Sequence, residues 1–494
     1  MTAHLPVLQV LPPLLAAPLC VLVRSRTAAW LLFLLASVGS LVVAVLLARR
    51  VAGGEVVRYE LGGWAPPAGI EYVIDGANAP VLVLVSAIAV VAAGYSRDSL
   101  AGEVAGPRIP LLYTCFCLCL TGLLGVTATG DAFNAFVFLE ISSLATYALI
   151  AMGRHRRALL AAFRYLVIGT IGATFLLIGI GLAYAVTGTL NMADLARRLP
   201  AEAPGNRALA AAVIFVFVGL AVKMAVFPLH AWLPDAYATA PPAVSTFLSG
   251  TSTKVASYAL LRFGFTVFGA TLVFGTLAVG PAGLLLASVA MLAGSAVACF
   301  QRDLRYLLAW SSVGQMGYLV AGFSLATPDG VAAAYLHLFF HALSKAALFA
   351  AAGILLLRVG SVALPALAGF GRRMPWLFGL VVLAGLGLVG VPPTAGFASK
   401  WALVTALIDQ GQWLVLAAVL ASSLLALVYV GRIVEAGWFR APAEPGPDRP
   451  VGRLAWMFTS TGLLVLLSVY FGVDPSWPGS LAEQAAATLL GAAS

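Results

Sequence analysis

The chain has 494 residues, 62% of them hydrophobic and only 10% charged, with a mean hydropathy of +1.01 and a formal net charge of +9. This composition excludes a soluble globular domain and a nucleic-acid-binding surface; it indicates an all-α polytopic membrane protein. A β-barrel would alternate short apolar segments with a polar half, whereas the apolar runs here are continuous and about 20 residues long, the length one helix needs to cross hydrocarbon.

The first apolar run, 5–23, has no basic leader and reads as a span, not a cleaved signal. Further runs follow at 28–48, 73–95, 109–129, 131–152, 160–187, 207–227, 241–262, 282–300, 306–326, 331–357, 376–398, 413–431 and 454–472, fourteen in all within a single transmembrane domain over 1–494. The stretch 263–281 is apolar enough for a fifteenth. Arginine counting decides against it: with the N-terminus outside, sixteen loop arginines fall inside and seven outside, and a fifteenth crossing would move nine of the inner ones out. The positive-inside rule therefore makes 263–281 a loop or surface segment of a cell (inner) membrane protein with both termini on the outer side. Arg164, just inside a span, has the reach to snorkel to the cytoplasmic face. The segment 188–207 has room for a short helix, and the Pro-rich, charged 440–453 reads as a flexible cytoplasmic loop. Cys115, Cys117 and Cys119 form a C-x-C-x-C cluster in a wholly apolar run. Residues two apart face opposite sides of a helix, so these are small buried hydrophobes and not metal or cluster ligands.

The ionisable residues within the spans are few and selective. Lys223, Lys254, Lys345 and Lys400 are the chain's four lysines, and each lies inside or at the edge of a span, while the 24 arginines avoid span centres. Arginine's charge is fixed, whereas a lysine can give up its proton when desolvated. Glu140 is the one carboxylate clearly within a span. Charges at membrane depth are costly and by default mark a functional route.

Two helices read as broken. "KMAVFPLHAWLPDA" (223–236) holds Pro228 and Pro234 around His230, with Asp235 next in line, and "GLGLVGVPPTAGFASKWALV" (385–404) holds Pro392 and Pro393 close to Lys400. Proline removes a helix hydrogen bond, and unpaired backbone at membrane depth persists only where it is buried or lines a cavity. Paired interruptions of this kind point to inverted repeats, here 109–262 and 282–431. "EISSLATYAL" (140–149) and "SSVGQMGYLV" (311–320) share small polar residues and a Tyr. Between the breaks, "AYLHLFFHALSKAALF" places His337, His341 and Lys345 on one helix face. Two His four apart can share zinc, but the next group is a cation and no carboxylate or thiol follows nearby. A hydrogen-bonding clamp and a relay of titrating groups remain, and the side-chain chemistry of His suits a relay.

"KMAVFPLHAWLPDAYATAPPAVSTFLSGTSTKVASYALLR" (223–262), "DLRYLLAWSSVGQMGYLVAG" (303–322) and "GVPPTAGFASK" (390–400) resemble the antiporter-like subunits of respiratory complex I, membrane-bound hydrogenases and Mrp-type multisubunit Na⁺/H⁺ antiporters. "ATYALIAMG" with "VTGTLNMADLA" (186–196) is most similar to the D-type branch of the Mrp antiporter subunits. The resemblance, which runs from about residue 70 to 430, implies fourteen helices in two inverted five-helix repeats, each with a broken helix. It implies a proton pathway through Glu140, Lys223, Lys254, His337, His341, Lys345 and Lys400, with His230 and Asp235 as accessory residues. The partners it implies are other membrane subunits, the lipid bilayer, protons and, where a cation path exists, Na⁺; a single buried acid in this chain places such a path largely in a partner. No dinucleotide fingerprint, cluster cysteines or haem-ligand pattern is present, so no cofactor or metal is expected. A solute transporter would want a roomy polar cluster, whereas these residues form a line.

Overall fold

The computed structural model describes residues 4–100, 103–154, 156–202, 205–441 and 454–491. Among these, eleven helices are long and apolar enough to cross a membrane, from Leu5–Val23 to Ala455–Val473. Three segments expected to cross fall short of that measure for physical reasons. The segment 241–262 is interrupted at Thr251 between Pro242–Gly250 and Ser252–Leu261; 376–398 is interrupted after Pro375–Val389; and Leu304–Ser324 is continuous but carries Arg305, Ser311, Ser312 and Gln315. Peripheral helices turn large apolar side chains outward, such as Leu285, Leu424 and Leu466. The 32-residue helix Pro328–Val359 is the axis, with nearly every residue from Gly330 to Leu355 buried.

Backbone bonds between helix ends recur at a fixed offset. Ala132 N donates to Leu190 O and Met192 N to Gly130 O; 172 positions later, Leu304 N donates to Val362 O and Leu364 N to Arg302 O. Helix Arg156–Thr187 and helix Pro328–Val359 differ by the same 172 at both ends. Asp131 and Asp303, again 172 apart, each cap the helix that follows, accepting from Asn134 N at 2.7 Å and from Arg305 N at 2.9 Å. The first set of bonds lies beside a β-hairpin, since Asn191 Nδ2 donates to Glu71 Oε1 at 2.8 Å. The second set lies on the opposite face, near the start of helix Arg156–Thr187: Tyr306, three residues beyond Asp303, shares Asp235 with Arg164.

The hairpin pairs Val57–Glu60 with Glu71–Ile74 and takes up the first residues of the run read as 73–95, so the third span starts at Ala79 and not at 73. Stretch 188–207 holds the helix Met192–Glu202 as anticipated. The segment 263–281 is not an irregular loop: Arg262–Val267 and Thr271–Thr276 are π-helical, and Phe263, Phe265, Val267 and Val273 are buried. Arg164 does not simply snorkel but pairs with Asp235 at 2.7 Å. A further helix, Ser476–Leu490, follows the last span and packs on the axial helix. Of the 440–453 segment, residues 442–453 lie outside the described residues.

Close helix approach depends on missing side chains. A Cβ on Gly219 would lie 2.6 Å from Gly172 O and 2.7 Å from Leu176 N. Gly181, on the same helix as Gly172, faces open space. We expect Gly219→Val to force the pair apart and cost about 1–3 kcal/mol, as overpacking does. Gly181→Ala should leave stability unchanged or slightly raised. Thermal melts of the detergent-purified protein compare the two, and equal melting of Gly219→Val and wild type would refute the account.

Candidate functional site

Lys223 stands in the last turn of Arg207–Met224, where Ala225 adopts φ +59° and ends the helix. Its Nζ donates to Glu140 Oε1 at 3.2 Å, Ser143 Oγ at 2.8 Å and Tyr147 OH at 3.5 Å. All three N–H bonds of the ammonium are thus used. The lysine side chain is 5% exposed and the glutamate 22%. Trp232, beyond the break, donates to Val222 O at 2.8 Å and stacks on Tyr165, which in turn meets Tyr147 edge-on. The interruption that brings the chain back therefore also walls the lysine.

Lys254 uses the second break. Ser249 lies in the last turn of Pro242–Gly250, and its carbonyl accepts from Lys254 Nζ, which also donates to Thr253 Oγ1 at 3.3 Å. A cavity of about 20 Å³ lies between Lys223 and the helix Ser252–Leu261, with Ser142, Ser143, Thr146 and Ser252 on its wall beside Leu139 and Val255. It is large enough for one water, and its hydroxyls and the lysine offer that water partners.

The middle is a stack of rings. His337 and His341 lie 5.8 Å apart and nearly parallel, and Tyr318 stacks on His337 at 5.2 Å. The ammonium of Lys400 sits over the Tyr318 ring at 4.6 Å, within cation–π range. His337 Nδ1 bonds Ser399 Oγ at 3.0 Å. Its Nε2 and both ring nitrogens of His341 are buried without a protein partner among the described residues; such atoms are where ordered water belongs. Lys345 donates to Leu308 O at 2.9 Å and to Ser311 Oγ. His341 lies within electrostatic reach of Lys254, Lys345 and Lys400.

Lys400, expected from the sequence at a span edge, lies within the second half of a broken helix, Ala395–Asp409. Helix Pro375–Val389 ends at Gly390 (φ +85°), and the orphan carbonyls of Leu388 and Val389 accept from Lys400 Nζ at 2.8 and 3.0 Å, with Ser423 Oγ at 3.0 Å.

The two accessory residues stand apart from this line. His230 stacks on Phe227 and meets Trp310 edge-on, each at 5.0 Å. Asp235 accepts from Arg164 and from Tyr306 OH at 3.1 Å. Among the described residues neither bonds a member of the line. Sequence reading passes over the hydroxyl partners Ser143, Ser311, Ser399 and Ser423. The doublets Ser142–Ser143 and Ser311–Ser312, each following a leucine by three residues, are the available signal: all four hydroxyls bond back to that leucine's carbonyl. It also passes over two buried arginines. Arg305 donates to Tyr237 O at 2.9 Å and Ser245 Oγ at 2.6 Å, and Arg262 pairs with Asp75.

Clamp and relay make opposite predictions for Lys345. An apolar residue of similar volume in place of a buried cation is often neutral or stabilising. We expect Lys345→Met to fold and melt like wild type or up to a few kcal/mol more stably, yet to lose transport. A variant that melts early and still transports would identify a clamp.

The family model for "NADH:quinone oxidoreductase/Mrp antiporter, TM" matches residues 129–426. "NADH-quinone oxidoreductase subunit N" of Desulforudis audaxviator is 43% identical over 91% of this chain and 90% of its own length. The D-type subunit of the Na(+)/H(+) antiporter of Alkalihalophilus pseudofirmus is 32% identical over 90% of this chain and 89% of its own. A chain in the structure of the Mrp complex from Dietzia sp. DQ12-45-1b superposes with a TM-score of 0.88 at 28% identity, covering 99% of this chain and 97% of that one. The match spans most of the helical bundle and every residue of the line, and on that basis the chain belongs to the NADH:quinone oxidoreductase/Mrp antiporter transmembrane family.

Proposed function

We propose that this chain is the proton-translocating subunit of a hetero-oligomeric monovalent cation/H⁺ antiporter in the cell membrane. The observation that carries this reading is the line itself: an ion pair at one end, two carbonyl-bound lysines, a stacked pair of histidines and a third carbonyl-bound lysine at the other end, all buried but for the half-buried glutamate. The 172-residue offset in backbone bonds, on opposite faces of the bundle, supports inverted repeats at 109–262 and 282–431 and fourteen crossings. Arginine asymmetry puts the hairpin face and both termini outside.

In the proposed cycle Glu140 stabilises the Lys223 ammonium. A charge that draws Glu140 away removes the main partner of a buried cation, and the proton moves by way of the cavity at Ser252 toward Lys254. Water ordered by Lys345, His341 and His337 carries it to Lys400. Each ammonium repels the next, so the line can be driven from one end. Moving one proton across the membrane potential involves about 2.3 kcal/mol per 100 mV. A single buried acid on the path suits protons and not Na⁺, so the cation route falls to a partner subunit.

A second reading, a proton-pumping subunit of a redox-driven quinone oxidoreductase, is favoured by the 43% identity to a subunit N. Co-purification separates the two: small membrane subunits accompany an antiporter, iron–sulfur subunits a redox complex. For both, Glu140→Ala and Lys223→Ala should assemble normally and reduce proton movement in everted vesicles to the level of vesicles lacking the chain. Full activity in either variant would sink the scheme.

A further inference from the structure

A second file of buried polar groups leaves the line at Lys254 and runs toward the hairpin face. Lys254, Tyr258 and Arg262 are four residues apart on one continuous helical stretch, so they share a face. They climb about 12 Å at 1.5 Å per residue. Arg262 Nε donates to Tyr258 OH at 3.0 Å, and Arg262 Nη2 donates to Asp75 Oδ1 at 2.7 Å. Tyr335, two residues before His337, is fully buried beside Tyr258, Arg262 and Asp75, and its hydroxyl has no protein partner among the described residues. On its far side Asp75 borders a cavity of about 400 Å³ that opens to the surface, lined also by Glu55, Gly76, Gln484 and Thr488. The chain just before and just after the hairpin and the C-terminal helix Ser476–Leu490 thus wall a vestibule with a carboxylate at its floor.

A structural clamp does not account for this pair. A buried ion pair repays its desolvation poorly, and the turn is already fixed. Asn78 Nδ2 donates to Val73 O at 2.6 Å and to Thr127 O at 3.0 Å, and the amides of Ala77 and Asn78 close on Asp75 Oδ1 at 3.0 and 3.2 Å.

We infer that Tyr258, Arg262 and Asp75 form a branch through which the line exchanges protons with water on the hairpin face. This rests on the proton-translocating reading above. A proton leaving Lys254 reaches the Tyr258 hydroxyl, which passes its own proton onward; the Asp75 carboxylate accepts it and releases it to the vestibule. One proton enters, one leaves, and every group returns to its starting charge. Arg262 stays protonated throughout; it keeps Asp75 ionised and ready to accept.

The test uses the purified complex in proteoliposomes with an internal pH dye. Tyr258→Phe removes one oxygen and keeps the ring, and Asp75→Asn keeps the shape of the floor. Both should assemble as wild type and slow proton flux about a hundredfold or more, the scale of a lost proton-transfer group. Independently, Gln484→Cys modified by a membrane-impermeant thiol reagent from the hairpin face should slow flux, and the same reagent on the other face should not. Wild-type flux in Tyr258→Phe, or in fully modified Gln484→Cys, overturns the branch. Failed assembly of Asp75→Asn beside wild-type flux in Tyr258→Phe also overturns it, and marks the pair as a clamp. If Lys223→Ala is inactive while Tyr258→Phe is normal, the branch alone falls. If both are active, the proton-translocating reading falls.

Discussion

Keeping ammonium groups out of water is the constraint on which the rest of this structure depends. Each buried ion carries an effective penalty of several kcal/mol unless it is paired and hydrogen-bonded. An unbroken helix has few carbonyls to spare, because its own amides take them. Breaking a helix frees carbonyls, and the lysines sit where they are freed. Lys254 takes Ser249 O at one break; Lys400 takes Leu388 O and Val389 O at another. Gly390 makes the second possible, since a Cβ there would meet Lys400 Cδ at 2.7 Å in a left-handed backbone. Lys345 is the exception. It reaches a carbonyl inside an intact helix, that of Leu308, where the Ser311 and Ser312 hydroxyls also converge.

Close packing keeps lipid and bulk water away from this polar line. Gly219 lies one turn before Lys223, so the approach of its helix to Gly172 also fixes how far the ammonium stands from Ser143. Gly294 lies against Gly314, and a Cβ on Gly396 would clash with the carbonyl of Gly387. In lipid, where no hydrophobic force drives helices together, small residues that admit close van der Waals contact do that work. Packing and electrostatics are thus one problem: the helices that approach most closely are those that carry or flank the lysines.

The sequence made much of this legible. Apolar run length placed the helices to within a few residues, and the sorting of lysine into spans and arginine into loops singled out the line. What it hid has physical reasons. The hairpin strands are four residues each, too short for their alternation to stand out beside 20-residue apolar runs. Arg262 looked like a loop arginine because its partner, Asp75, is 187 positions away and falls in a segment read as the start of a span. The 172-residue repeat is written in backbone amides and carbonyls, which carry no side-chain signature. Lys400 was placed at a span edge because the apolar run read as 376–398 stops just short of it, whereas the second half-helix continues to Asp409.

Both ends of the line are built at broken helices, yet their lysines are held differently, and that difference gives the proposed scheme a direction. Lys223 faces a carboxylate that is partly exposed, so the pair is neutral overall and responds to a charge arriving from outside it. Lys400 faces carbonyl dipoles, a serine hydroxyl and the face of Tyr318, and no carboxylate. Its protonation therefore answers to charges along the line, and His337 and His341 both lie within its electrostatic reach. In the proposed scheme one end acts as a sensor and the other as a responder. An acid at both ends would make each respond to its own surroundings. With a mobile acid at one end only, a change at Glu140 has a single way to propagate, from the ion pair through the rings to the carbonyl-bound lysine.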